Sequence, residues 1–238
     1  MIKSYLFLCL LLLVGSTYGQ TGVLDVAFGN AGKVTDSTSI RPGVGIMALQ
    51  PDGKIIVGGY NNNSVYVQDS LSLIRYNADG SLDYTFGIGG KVLKSICGQG
   101  AGFSNDGDNQ ILDLALQDDG KIVAACAVDS TNLSLLNGAI VRFNSNGSID
   151  STFGTNGYVY NDTSMEQVLV RPNGKIVTVD YYGTVRQYNP DGSVDASFPT
   201  YRYIFISWNW LQSNRKTIIV IVVSLVGAMR NRHYVIVI

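Results

Sequence analysis

One block of residues returns three times with little change: Leu49-Gln-Pro-Asp-Gly-Lys-Ile-Ile-Val57, Leu116-Gln-Asp-Asp-Gly-Lys-Ile-Val-Ala124 and Val170-Arg-Pro-Asn-Gly-Lys-Ile-Val-Thr178. A second block follows each copy. It reads Arg75-Tyr-Asn-Ala-Asp-Gly-Ser-Leu-Asp-Tyr-Thr-Phe-Gly87, then Arg142-Phe-Asn-Ser-Asn-Gly-Ser-Ile-Asp-Ser-Thr-Phe-Gly154, then Gln187-Tyr-Asn-Pro-Asp-Gly-Ser-Val-Asp-Ala-Ser-Phe198. The tail of an earlier copy stands at Leu24-Asp-Val-Ala-Phe-Gly-Asn-Ala-Gly32. Self-similarity with a unit of about 55 residues is the signature of a repeat architecture, in which no unit buries its faces alone and each must stack on its neighbours.

The blocks read as strands punctuated by tight turns. Asp52-Gly53, Asp119-Gly120 and Asn173-Gly174 suit type I′ hairpin turns, which need positive φ at both central residues. Upstream, Leu112, Leu114 and Leu116 alternate with polar neighbours at the period of a strand. Downstream, Lys-Ile-Ile-Val and its relatives are β-branched and apolar on both faces, as befits the inside of a packed blade. The second block opens with a strand (71–77, 139–144) and closes in a turn at Asp79-Gly80, Asn146-Gly147 or Asp191-Gly192; a fourth strand is expected from about Lys91-Val92. The fold class expected is all-β: a β-propeller-like array of about four-stranded blades, incomplete at three to four repeats, since closed rings use four to eight blades. The Phe of each Phe-Gly is expected to pack between blades.

The patterns Leu-Asp-x-Thr/Ser-Phe-Gly-x-x-Gly and Leu-Gln-x-Asp-Gly-Lys-Ile, nearly unaltered between residues 24 and 198, resemble the delta-60 repeat family. The resemblance implies a β-propeller-like fold in large exported bacterial proteins, often cell-surface ones. It implies no established activity and carries no catalytic residues over.

Composition agrees with the turn-rich reading: 27 residues are Gly, and of the 18 acids all but Glu166 are Asp. Residues 1–19 depart from this pattern, with Lys3 as the sole charge, an apolar run from Tyr5 to Gly15, and the small Thr17 and Gly19 before Gln20. That is the pattern of a secretory signal peptide, too short in its apolar run to span a bilayer. Residues 20–200 are then the repeats. Residues 201–238 form a degenerate or truncated final repeat, in which Pro199 already stands for the expected Gly and Leu211-Gln-Ser-Asn-Arg-Lys216 puts Arg215 where Gly53 stands. The basic residues Arg202, Arg215, Lys216, Arg230 and Arg232 meet no acid there. The apolar stretch 217–229 reads as strands, so no transmembrane segment is expected. A net charge of −1 gives no footprint for nucleic acid.

Chemistry-bearing groups are few. His233 is the only histidine, which excludes a Ser-His-Asp triad within the repeats. Beyond the leader only Cys97 and Cys126 remain; export would permit a bridge, but a buried thiol at Cys126 is the simpler reading. No catalytic or cofactor-binding residue is assigned. The metal candidates are the alternating oxygens of Asn77, Asp79, Ser81 and Asp83, arranged about a Gly as calcium ligands can be, with Asn105, Asp106 and Asp108 as a second set. The same residue types are what tight turns demand. Arg75 and Arg142 suggest either an anion-gripping ring or pairs with the turn acids Asp83 and Asp150; Gln187 at the third place favours pairs.

Three functions fit these observations. The first is a noncatalytic secreted or cell-surface scaffold that binds protein or carbohydrate through variable loops such as 61–70 and 97–109. The second is a carboxylate-based polysaccharide hydrolase or lyase using Asp106, Asp108 or Asp129. The third is an architectural spacer in a larger surface protein, associating through exposed edge strands or further repeats.

Overall fold

The computed structural model describes residues 22–36, 40–41, 46–61, 70–96, 109–128, 137–199, 201–202, 221–224 and 233–236. Residues up to Thr35 form one compact unit and those from Asp36 onward a second. In the first, residues 22–35 fold as the tail of a repeat. Gly29, Ala31 and Gly32 hold φ of 58°, 52° and 82°, the sequence of left-handed residues that Gly87, Gly89 and Gly90 repeat at 54°, 60° and 85°.

The second unit is built from antiparallel sheets. The first blade comprises β1 (Ile40–Arg41), β2 (Met47–Leu49), β3 (Ile55–Asn61), β4 (Ser70–Tyr76) and β5 (Lys91–Lys94); β1 and β2 both pair with β3 and occupy one strand position. In the second, β6 (Gln110–Leu116), β7 (Ile122–Val128), β8 (Asn137–Phe143) and β9 (Tyr158–Asn161) pair in chain order. The third repeats this with β10 (Met165–Val170), β11 (Ile176–Asp180), β12 (Thr184–Tyr188) and β13 (Tyr201–Arg202). A separate hairpin joins β14 (Ile221–Ser224) to β15 (His233–Ile236). The up-and-down order is that of propeller blades, all-β as the repeats imply, and among the described residues three such blades are present. The fourth strand expected near Lys91 is β5.

Blade stacking explains why the second strand of each blade is apolar on both faces. Along β7, Ile122, Ala124, Cys126 and Val128 face the first blade and join Ile56, Leu71, Leu73, Phe86, Ile111 and Leu114 in one buried cluster. The intervening Val123 and Ala125 face the third blade and join Phe153, Met165, Val168, Ile176 and Tyr188 in another. Small side chains at 124–127 let the sheets approach closely. Cys126 is buried and free, and burial pushes its thiol well above the usual range, which leaves it a packing residue. Phe86 and Phe153 are fully buried.

The hairpin turns differ from the type I′ expectation. Gly53, Gly120 and Gly174 have φ of 84°, 80° and 77°, while Asp52, Asp119 and Asn173 are absent from the positive-φ residues. Gly53 N–H donates to Gln50 C=O at 2.9 Å and Gln50 N–H to Lys54 C=O at 2.8 Å. This is the three-residue loop, a type I turn whose left-handed third residue forms a bulge. Pro51 and Pro172, with φ fixed near −65°, suit the first central position of that type I turn. The second-block turns at Gly80, Gly147 and Gly192 are built identically, with Asn77 N–H on Ser81 C=O, Asn144 on Ser148 and Asn189 on Ser193. In all six, the Asp or Asn before the Gly accepts the N–H two residues on, as Asp52 does from Lys54, Asp119 from Lys121, Asn173 from Lys175, Asp79 from Ser81, Asn146 from Ser148 and Asp191 from Ser193.

Candidate functional site

Antiparallel order sorts the connections to opposite ends of the blades. The first-to-second and third-to-fourth connections, which hold all six repeated turns, lie at one end. The second-to-third connections and the crossovers between blades lie at the other.

At the turn end each blade is tied to the next. Arg75 Nε donates to Asp83 Oδ2 at 2.7 Å, Lys54 Nζ to the same oxygen at 2.8 Å, and Thr85 N–H and Oγ1 to Asp83 Oδ1. The guanidinium lies 4.5 Å from the Phe86 ring centroid and donates to Ser145 C=O, in the turn of the second blade. Arg142 repeats this, with Nε on Asp150 Oδ2 at 2.8 Å, its cation 4.5 Å from the Phe153 centroid, and a bond to Pro190 C=O of the third blade. Backbone bonds run alongside, Gly87 N–H to Asn146 C=O at 2.8 Å and Gly154 N–H to Asp191 C=O at 2.7 Å. In the third blade Gln187 replaces the Arg and donates to Asp195 at 2.6 Å, while Arg171, standing where Gln50 and Gln117 stand, donates to the Gln187 carbonyl at 2.9 Å. The Arg and Gln have exchanged strands.

Burial alone would raise the Asp83 carboxyl, but Lys54, Thr85 and the Arg75 charge outweigh it and hold the group well below the usual carboxylate range. Asp150 is likewise lowered to about 2 against its burial, by Thr152, Arg142 and Lys121. Asp195 is held well down by Lys175, Ser197 and Gln187. These acids serve structural pairs. The calcium candidates lie in the same turns and are engaged there: Asn77 Nδ2 donates to Ser81 Oγ at 2.9 Å, Ser81 Oγ to Asp79 Oδ1 at 2.6 Å, and both Asp83 oxygens accept as described. An open cleft of about 600 Å³ between the turns of the first two blades is lined by Gln50, Asp52, Arg75, Asp118 and Asp119, among others.

The loop end carries the long connections between described strands that do not repeat. Residues 62–69 join β3 to β4, 129–136 join β7 to β8, and 95–109 join β5 to β6. Asn105, Asp106, Asp108, Asp129 and Cys97 belong to these connections and fall outside the described residues; residues 1–19, read in sequence as a signal peptide, and 211–216 also fall outside them. In the third blade the loop is only Tyr181-Tyr182-Gly183, beside the crossover Asp162-Thr163-Ser164. It is firmly built. Tyr181 N–H donates to Ser164 C=O at 2.9 Å, and Gly183 N–H to Asp180 C=O at 2.8 Å. Asp180 accepts from Tyr182 N–H at 3.0 Å, Thr184 N–H at 2.7 Å and Arg186 Nη1 at 2.7 Å. Burial would raise the Asp180 carboxyl; Thr184 N–H and Arg186 bring it below its ordinary value. The two rings stand 5.4 Å apart at 77°, and 60% and 54% exposed. The pair lies between the two repeated blocks of the third copy, 170–178 and 187–198, and its sequence signal is the shortness of the loop, Tyr-Tyr-Gly between two strands.

No curated protein matches the chain. A family model described as "Domain of unknown function (DUF5122) beta-propeller" matches residues 50–86, 117–153 and 171–198. Each match opens on the residue that braces the first turn, Gln50, Gln117 or Arg171, and closes on Phe86, Phe153 or Phe198. The three matched segments are similar to the repeat of a β-propeller family of unknown function.

Proposed function

We propose that this chain is an exported, noncatalytic repeat scaffold, secreted or held at the cell surface, that binds protein or carbohydrate through the loops at one end of its blades. The observation that carries this reading is the segregation of variable from repeated connections. Conserved turn chemistry joins the blades at one end, and all the long unrepeated connections, 62–69, 95–109 and 129–136, leave from the other. Rigid scaffolds that carry variable loops at one end bind through them. The Lys3 to Gly19 leader pattern supports export.

Two measurements test it. The exported protein is expected to begin at Gln20 by intact mass. On an array of cell-surface proteins and glycans, wild-type protein is expected to be retained and a variant with 97–108 cut to Gly-Ser to lose retention at an unchanged urea midpoint. Retention indifferent to all three loops would refute the reading.

A further inference from the structure

Among the described residues of the loop end, the Tyr181–Tyr182 pair is the one place where two adjacent aromatic rings are both more than half exposed and also held by a hydrogen-bonded backbone. We infer that the pair is a binding platform for a neutral glycan chain, which deepens and rests on the assignment of the loop end as the binding end.

The chemistry of sugars and two observations converge on that ligand. A pyranose ring presents one face of C–H bonds, weakly positive, which packs on the negative face of an aromatic ring while its hydroxyls stay free at the rim. Two rings 77° apart form a corner, in which one ring takes the sugar face and the other its edge. The platform is also preorganised. Asp180 fixes three backbone or side-chain donors around the turn and Ser164 fixes Tyr181, so little ordering entropy is left to lose on binding.

The surroundings select further. The chain neighbours of the rings and the adjoining crossover are polar: Asp162 is exposed, Thr163 half-buried and Glu166 half-buried with Ser164 Oγ on its carboxylate at 2.9 Å. Of these groups Asp162, the exposed one, supplies a rim partner for sugar hydroxyls. An apolar protein-docking patch would instead surround the rings with aliphatic side chains. The nearby cation, Arg186, is committed to Asp180, and the local acids repel an anionic polymer.

The test is affinity electrophoresis of the full chain in gels containing mixed-linkage β-glucan, xylan or galactomannan, with alginate as the anionic control. Retardation is expected in at least one neutral gel and not in alginate. Tyr181→Ala and Tyr182→Ala should each weaken it about tenfold, with Tyr→Phe variants close to wild type. Both side chains are exposed, so the urea midpoint should not move. Wild-type mobility in every neutral gel, or unchanged retardation of the double Ala variant, overturns the platform. If that happens while shortening of 97–108 still abolishes array retention, the loop-end reading stands alone; if array retention is also indifferent to the loops, both fall.

Discussion

Gly89 and Gly147 both hold φ in the left-handed region, at 60° and 88°, yet they are needed for different reasons. A Cβ built on Gly89 meets nothing within 4 Å, and the equivalent positions in the other tails are Ala31 and Asn156, both left-handed. A Cβ on Gly147 would lie 2.7 Å from Val92 Cγ2 and 3.0 Å from Phe86 Cε2, inside the junction with the first blade. Gly89→Ala should therefore cost only the backbone term, about 1 kcal/mol. Gly147→Ala adds overpacking of a fully buried ring and should cost about 3 kcal/mol in total. Urea denaturation of the two variants decides this; equal losses would mean that the junction yields to a methyl group and that Phe86 is not tightly held.

At the scale of the blade, the Arg latch couples sheets that otherwise meet through side-chain packing and a few hydrogen bonds, Gly87 to Asn146 and Gly154 to Asp191 among them. Arg142 serves an acid of its own blade, an aromatic ring and a carbonyl of the next, so Arg142→Ala leaves Asp150 buried with the Thr152 donors and, as its cation, the more distant Lys121 at 3.5 Å, and frees Pro190 C=O. A loss of about 3 kcal/mol is expected in urea denaturation. Gln187→Ala should lose less, because Lys175 still holds Asp195 at 2.6 Å and, among the described residues, Gln187 bonds only within its own blade. Much of this was legible in sequence. The pairs with Asp83 and Asp150 followed from Gln187 replacing Arg where a ligand clamp would not tolerate it, and the four-strand blade followed from alternation and turn spacing. The turn class did not follow: Asp-Gly fits both type I′ and the three-residue loop, and only the backbone bonds Gln50–Lys54 and Gln50–Gly53 separate them. Nor was the Tyr platform visible, because its meaning depends on which end of the sheet the loop leaves from, a property of topology rather than of any residue pair.

Across the whole molecule the turn end repeats one electrostatic unit, and its consequence is a shared response to acid. Asp83, Asp150 and Asp195 all ionise below the ordinary carboxylate range in the folded state. Below about pH 4 the unfolded chain therefore binds protons that the folded chain refuses, and stability falls as pH drops towards the folded values. Above about pH 5 these groups are ionised in both states and their contribution is constant. Asp113 runs the other way. Its carboxylate bridges the neighbouring first strands, accepting Val168 N–H and Leu114 N–H at 2.9 Å each, but burial raises it. Protonation of Asp113 returns some stability as pH falls, and it opposes the three turn-end acids and Asp180, all of the other sign. Far-UV circular dichroism in urea from pH 7 to pH 2 should give a flat stability down to about pH 5 and a steep loss below pH 4. Asp150→Asn should be less stable at pH 7, since Arg142 loses its charged partner, and should show a shallower loss in acid, since one depressed carboxylate has been removed. An acid slope in that variant as steep as in wild type would mean that the Arg142–Asp150 pair is open in solution, and that the second and third blades are joined by packing and by the Gly154–Asp191 backbone bond.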